Sequence, residues 1–140
     1  MSYPYPDVYP QEIFPTAAPE FLTAVPLFLG YADAGPIIMP VPIRLWPQFT
    51  ATFGPAYAKG LLIYAERGIF GTGGTVCYVN RQNDDETLTT LQSLQQGLRA
   101  ATLLENIDLI CAPDLVREQT LAGLIALQQE VLTHCERLGD

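Results

Sequence analysis

Histidine occurs once in these 140 residues, at His134. A single imidazole excludes metal clusters built on paired histidines, and every catalytic triad except one built on that residue. Cysteine is nearly as scarce. Cys77, Cys111 and Cys135 form an odd, widely spaced set with no CxxC, which suits a reducing cytoplasm. Basic residues are few: seven Lys and Arg stand against fifteen Asp and Glu, a net charge of −8. Nucleic-acid phosphates and anionic membrane surfaces both recruit clustered cations, so neither partner fits this balance. Long apolar runs are missing too. The longest, Phe21 to Ala32, contains Pro26 and Gly30 and is too short to span a bilayer. Met1 to Asp7 has neither the basic start nor the apolar stretch of a signal peptide. The expectation is a soluble chain, made and assembled in the cytoplasm.

What is present is enough for a core. Hydrophobic residues make up 49% of the chain, which argues against wholesale disorder, and the length fits one domain with or without an appendage. Charge is uneven: residues 1–70 hold five acids and three bases, residues 71–140 ten acids and four bases. The second half should therefore present a solvated acidic face.

Residues 1–20 stand apart as an arm. Pro4, Pro6, Pro10, Pro15 and Pro19 forbid a helix and remove backbone donors from any ladder. Tyr3, Tyr5, Val8, Tyr9, Ile13 and Phe14 make the segment too apolar for an inert linker. It either seeks another surface or packs on its own domain. Residues 21–140 read as one α/β unit. A buried strand starts near Val25, and Ile37 to Arg44 is extended and broken by Pro40 and Pro42. Trp46, Phe49 and Phe53, spaced i, i+3, i+7, predict a short helix with Pro47 in its first turn. A second helix is expected from about Tyr57 to Phe70, with Leu61, Leu62, Ala65 and Ile69 on one face. Strands follow at Thr75 to Asn80 and Ile107 to Ala112. Between them Asn83-Asp84-Asp85 is expected to cap a helix carrying Leu88, Leu91, Leu94 or Gln95, and Leu98. The last helix places Leu121, Leu124, Ile125, Gln128, Val131, Leu132, Cys135 and Leu138 on one face, with Gly139 as its C-terminal cap. Alternating strands and helices predict a mixed, mostly parallel sheet flanked by helices, preceded by the extended Pro-rich arm.

No set of residues makes a catalytic site. Gly71-Thr-Gly-Gly-Thr75 follows a helix and precedes a strand, whereas a phosphate loop needs the reverse order because the helix N-terminus supplies the donors. His134 and Cys135 are neighbours on a helix and point about 100° apart, a poor geometry for sharing a ligand; Cys135 is expected in the core and His134 at the rim. Asp84-Asp85-Glu86 lacks the ligand spacing of a calcium loop and reads as a helix start. Trp46, Phe49 and Phe53 have the spacing of core packing rather than of a ligand-stacking face.

Several segments nevertheless carry a resemblance. Tyr5-Pro6-Asp7-Val8-Tyr9 with Glu12-Ile13, Phe28-Leu-Gly-Tyr-Ala-Asp-Ala-Gly-Pro36, and the set Pro40, Ile43, Trp46, Phe49, Phe53, Gly54 come in that order. They are followed by Phe70, Gly73, Gly74, Cys77-Tyr78-Val79 and Arg81, then Ile107 to Asp114, then His134-Cys135-Glu136-Arg137-Leu138. Together they resemble the contractile tail-sheath family of phages and phage-tail-like injection systems. The chain departs from that family in Asp7, which replaces the usual arm glycine, and in Pro10, which replaces a strand residue. It also lacks the outer domain that the family inserts after the segment ending at Arg81. It resembles only the first part of the sheath core domain, which implies a truncated form of the family's architecture.

The resemblance implies a structural subunit, not an enzyme, with no cofactor, no metal and no nucleotide. Such subunits polymerise around an inner tube protein and drive it by sheath contraction, with energy supplied by repacking of the subunits. The expected partners are other sheath subunits and the tube, in a homo-oligomer or a joint assembly with full-length sheath. Tyr5, Val8, Tyr9, Glu12 and Ile13 would form the arm that adds a strand to a neighbour. The competing reading is a non-contractile interaction module that binds or caps full-length sheath subunits.

Overall fold

A computed structural model describes residues 23–55 and 60–139. The arm, and with it Tyr5, Val8, Tyr9, Glu12 and Ile13, lies outside the described residues.

The order of elements follows the apolar patterning. β1 (Pro26–Gly30) and β2 (Val41–Ile43) precede α1 (Trp46–Phe53) and α2 (Leu62–Gly71). Then come β3 (Cys77–Arg81), α3 (Thr90–Ala101), β4 (Leu109–Cys111), a short 3-10 helix (Pro113–Arg117) and α4 (Leu121–Leu138). The four strands form one sheet in the order β2-β3-β1-β4. β1 pairs in parallel with β3, Leu27 opposite Tyr78, and with β4, Leu27 opposite Ile110. β2 runs antiparallel to β3, with Ile43 opposite Cys77. The sheet is thus mixed and mostly parallel, as the alternating elements predict.

Helices cover both faces of the sheet. All five residues of β1 are buried, the pattern of a central parallel strand packed on two sides. Phe28 points one way and joins Ile43, Phe49, Phe53, Leu62, Cys77 and Val79 under α1 and α2. Leu27 and Leu29 point the other way and join Leu94, Leu98, Ala101, Leu115 and Leu127 under α3 and α4. Each such side chain contributes roughly 1.5–3 kcal/mol through its burial. The aromatic spacing of α1 is core packing: Trp46 stacks on Phe49 with centroids 5.4 Å apart, and Phe49 lies 5.4 Å from Phe53.

Four local expectations are corrected. α2 starts at Leu62 and has Leu61, not a residue near Tyr57, as its N-cap. Leu62, Ala65 and Ile69 do pack on the core as expected, but that face also carries the fully buried Glu66. α3 is capped by Thr89 rather than by the acids before it: its hydroxyl accepts from the Gln92 amide and Gln92 accepts from the Thr89 amide, a reciprocal box. Asn83 and Asp85 instead close turns, accepting from the amides of Asp85 and Thr87, and Leu88 precedes the helix. Both later strands are shorter than their apolar runs, because Pro113 ends β4 and the Gly73-Gly74 turn delays β3.

Candidate functional site

β4 is one edge of the sheet and β2 the other. The two edges differ chemically. β2 has Pro42 at its centre, which removes a backbone donor. β4 carries no proline, and among the described residues no strand pairs with its outer side. Its first residue, Leu109, is exposed.

Beside this edge lies α4, whose 18 residues make a rod about 27 Å long. The Thr120 hydroxyl accepts from the Gly123 amide at its start. Gly139, at φ 78°, closes its end with bonds to the carbonyls of Cys135 and Glu136. The helix is apolar around more than one side, and the side it buries is not the one expected. Leu127 and His134 face the core, with Leu124 and Val131 half covered. Leu121 is left 74% exposed and Leu132 67%, with Ile125 also exposed between them. Val116 of the 3-10 helix, 66% exposed, adds to the same region. Between the two helices runs a shallow groove of about 330 Å³, lined by Leu115, Val116, Leu124, Val131 and Leu132 among others. An unpaired strand edge and an uncovered apolar groove can hold a partner through main-chain hydrogen bonds and burial.

The residues singled out from sequence fall elsewhere. His134 is 2% exposed and Cys135 only partly buried, the reverse of the expectation, because α4 is rotated so that Leu127 and His134 share the inner line. Burial pushes the His134 imidazole below its ordinary pKa, helped by nearby Arg137 and opposed by Glu130. Its Nε2 has no hydrogen-bond partner among the described residues. The Gly71–Gly74 segment turns from α2 into β3, with Gly73 at φ 94° and the Gly74 amide bonded to the Ile69 carbonyl. Asp84, Asp85 and Glu86 line an open cleft of about 330 Å³ together with Arg117 and Glu118. Arg81 pairs with Asp84 there at 3.4 Å. Among the described residues no group of three or more His, Cys, Asp or Glu is placed to hold a metal ion. Among them, too, no helix is long and apolar enough to cross a membrane.

Two buried carboxyls escaped the sequence reading. Asp114, just after β4, accepts hydrogen bonds from the amides of Tyr31 and Leu61. It thereby fastens the end of β1 and supplies the cap that α2 lacks from its own sequence. It closes the Ile107 to Asp114 segment of the resemblance, but nothing there marks it as a buried acceptor. Glu66 lies fully buried under α2, and nothing in its local sequence marks it.

No protein-family model matches this sequence, and no curated protein matches it. The fold is similar to that of a chain in the cryo-EM structure of the anti-feeding prophage (AFP) baseplate in the contracted state. The TM-score is 0.62 and the identity 23%, over 93% of this chain and 36% of that one. The chain thus spans about a third of the neighbour's length. The α/β layer described above is therefore an architecture shared with a component of that assembly.

Proposed function

We propose that this chain is a structural subunit of a contractile, phage-tail-like particle, of the tail-sheath type, and that it works by contact rather than catalysis. The observation that carries the reading is a β4 edge with no partner strand among the described residues, beside the exposed apolar side of α4, on a fold similar to that of an AFP baseplate chain. Strand addition to such an edge supplies affinity through the main chain, and an adjoining apolar groove supplies specificity through side chains. The ordered motifs that resemble sheath proteins support the finer assignment. On this reading Tyr5, Val8, Tyr9, Glu12 and Ile13 belong to an arm that engages a neighbouring subunit. The assembled sleeve surrounds an inner tube, and repacking of subunits drives contraction without nucleotide or cofactor.

A second reading is a non-contractile module that binds or caps full-length sheath subunits. The uncovered groove between α4 and the 3-10 helix supports it, since such a surface can seat a full-length subunit without any contraction.

The test is deletion of Met1 to Pro15, followed by circular dichroism and by electron microscopy of mixtures with a full-length sheath protein. We expect an unchanged core spectrum and loss of co-assembly. Sleeves or rings from the intact chain support the subunit, and small discrete species support the module. Unfolding on deletion would make the arm an intramolecular strand, and no association with sheath in any form would sink both readings.

A further inference from the structure

Glu66 is the one acidic side chain with no exposed surface among the described residues. It sits in the middle of α2 and faces the sheet. Its Oε2 accepts a single hydrogen bond, from the Cys77 thiol at 3.1 Å, and its Oε1 has no partner among the described residues. A thiol is a weak donor, and an ionised carboxylate offers about four lone-pair positions. This is a poor home for a negative charge and an adequate one for a neutral acid.

Among the described residues no cation is paired with that carboxyl. α1 (Trp46–Phe53), β1 (Pro26–Gly30) and β2 (Val41–Ile43) contain no ionisable side chain. β3 contributes Tyr78, which packs in the opposite layer with Leu27 and Leu29, and Arg81, whose guanidinium is taken by the Gly35 carbonyl and Asp84. It also contributes Cys77, whose thiol is pushed up by burial and then by the charge of Glu66, so it stays protonated. β4 contributes Cys111, pushed up by burial and then by Glu66. The 3-10 helix contributes Asp114, whose oxygens are taken by the Tyr31 and Leu61 amides, and Arg117, which points to solvent. On α2 itself Tyr64 is exposed, as is Arg67. Burial raises the Glu66 carboxyl to about 7, against a smaller lowering by the Cys77 hydrogen bond.

We propose that Glu66 is a proton-operated latch on α2: uncharged, it lets the helix lie flat over Cys77 and the sheet, and its ionisation loosens the helix. The direction follows from the raised folded-state value. Below the ordinary carboxylate range both folded and open forms hold the proton, and the latch is closed. As pH rises, the open form releases the proton first, so closure weakens steadily and the open form gains tenfold for each pH unit until the closed form ionises too. Opening α2 uncovers Cys77, which gives the latch a chemical reporter.

The experiment is hydrogen exchange on the full chain between pH 6 and 8, corrected for the intrinsic pH dependence of exchange, together with N-ethylmaleimide labelling located by mass spectrometry. In the wild type, α2 amides should exchange about tenfold faster across this interval, relative to β1 amides, and Cys77 labelling should rise relative to Cys135. In Glu66→Gln the α2-to-β1 ratio should stay flat. An equal rise in the variant, or a flat ratio in the wild type, would overturn the proposal. If the variant does not fold, carbon-13 titration of the Glu66 carboxyl in the wild type decides: a midpoint near neutral supports the latch, and one in the ordinary carboxylate range refutes it.

Discussion

Asp114 accepts a hydrogen bond from the Tyr31 amide 2.9 Å away, across 83 positions of sequence. Its other oxygen receives the Leu61 amide at the start of α2. One carboxyl therefore ties β1, α2 and the 3-10 helix into a single corner. Hydrogen bonds to a charged group contribute about 1.5–3 kcal/mol each, and removal strands two amides. Asp114→Ala is expected to cost about 3 kcal/mol in urea or thermal unfolding. Asp114→Asn, which keeps one acceptor, should fall between that and the wild type. A neutral alanine variant would show that the corner is held by other contacts.

Two glycines should answer differently to the same methyl group. At Gly30 an added Cβ would meet Asp114 Oδ2 at 2.7 Å and Leu62 Cβ at 2.9 Å. The carboxyl there is pinned by its amides, so Gly30→Ala should lose about 1–3 kcal/mol as overpacking. At Gly97, in α3, the nearest atom is Leu29 Cδ2 at 3.1 Å, the end of a side chain that can give way. Alanine also favours the helix by about 1 kcal/mol over glycine. Gly97→Ala should be close to neutral, and equal losses at both sites in chemical denaturation would contradict the packing.

His134 predicts an acid-side weakness. Its folded-state pKa lies below the ordinary 6.5, so the unfolded chain binds a proton that the folded chain resists. Stability from this residue is fully present above pH 6.5 and is lost as the pH falls toward the folded value. His134→Leu removes the titration. The melting temperature of the wild type should drop more than that of the variant between pH 7.5 and pH 5, and parallel curves would refute the assignment. Glu66 contributes the opposite slope over part of this range, but it is common to both proteins and cancels in the comparison.

The uncovered side of α4 should report on association. Replacing Ile125 and Leu132 with Glu changes exposed positions, where substitutions normally alter stability by no more than about 0.5 kcal/mol. Light scattering after size exclusion should show the wild type self-associating and the double variant shifted to monomer, with the same circular dichroism. A wild type that remains monomeric at high concentration would remove the groove from the assembly argument.

How much of this was readable depends on whether the deciding contact was local. Trp46, Phe49 and Phe53 announce α1 because only one side of that helix is apolar. α4 was equally visible as a helix, but leucines and isoleucines occupy more than one of its sides, so periodicity could not choose which side turns inward. The inner line through Leu127 and His134 is set by packing against α3 and the 3-10 helix. The run Asp84 to Glu86 drew attention from Thr89 and Gln92, the residues whose spacing forms the cap. The β4 edge depends on strand order, which no window of sequence contains. Glu66 and Asp114 are buried by residues far away in the chain, so composition alone places them on the surface.

The position of β1 has a consequence for synthesis. The strand that ends most deeply covered is the first of the described strands to be made. Its partners in the sheet arrive much later: the Val25 amide finds Asp108 83 residues downstream, and β3 begins only at Cys77. At translation rates of about 5–20 residues per second, Pro-Leu-Phe-Leu-Gly remains unpaired for several seconds while the rest of the chain is added. The same five residues that organise both layers of the described fold are thus ones that a nascent-chain chaperone would hold until β3 and β4 have been made.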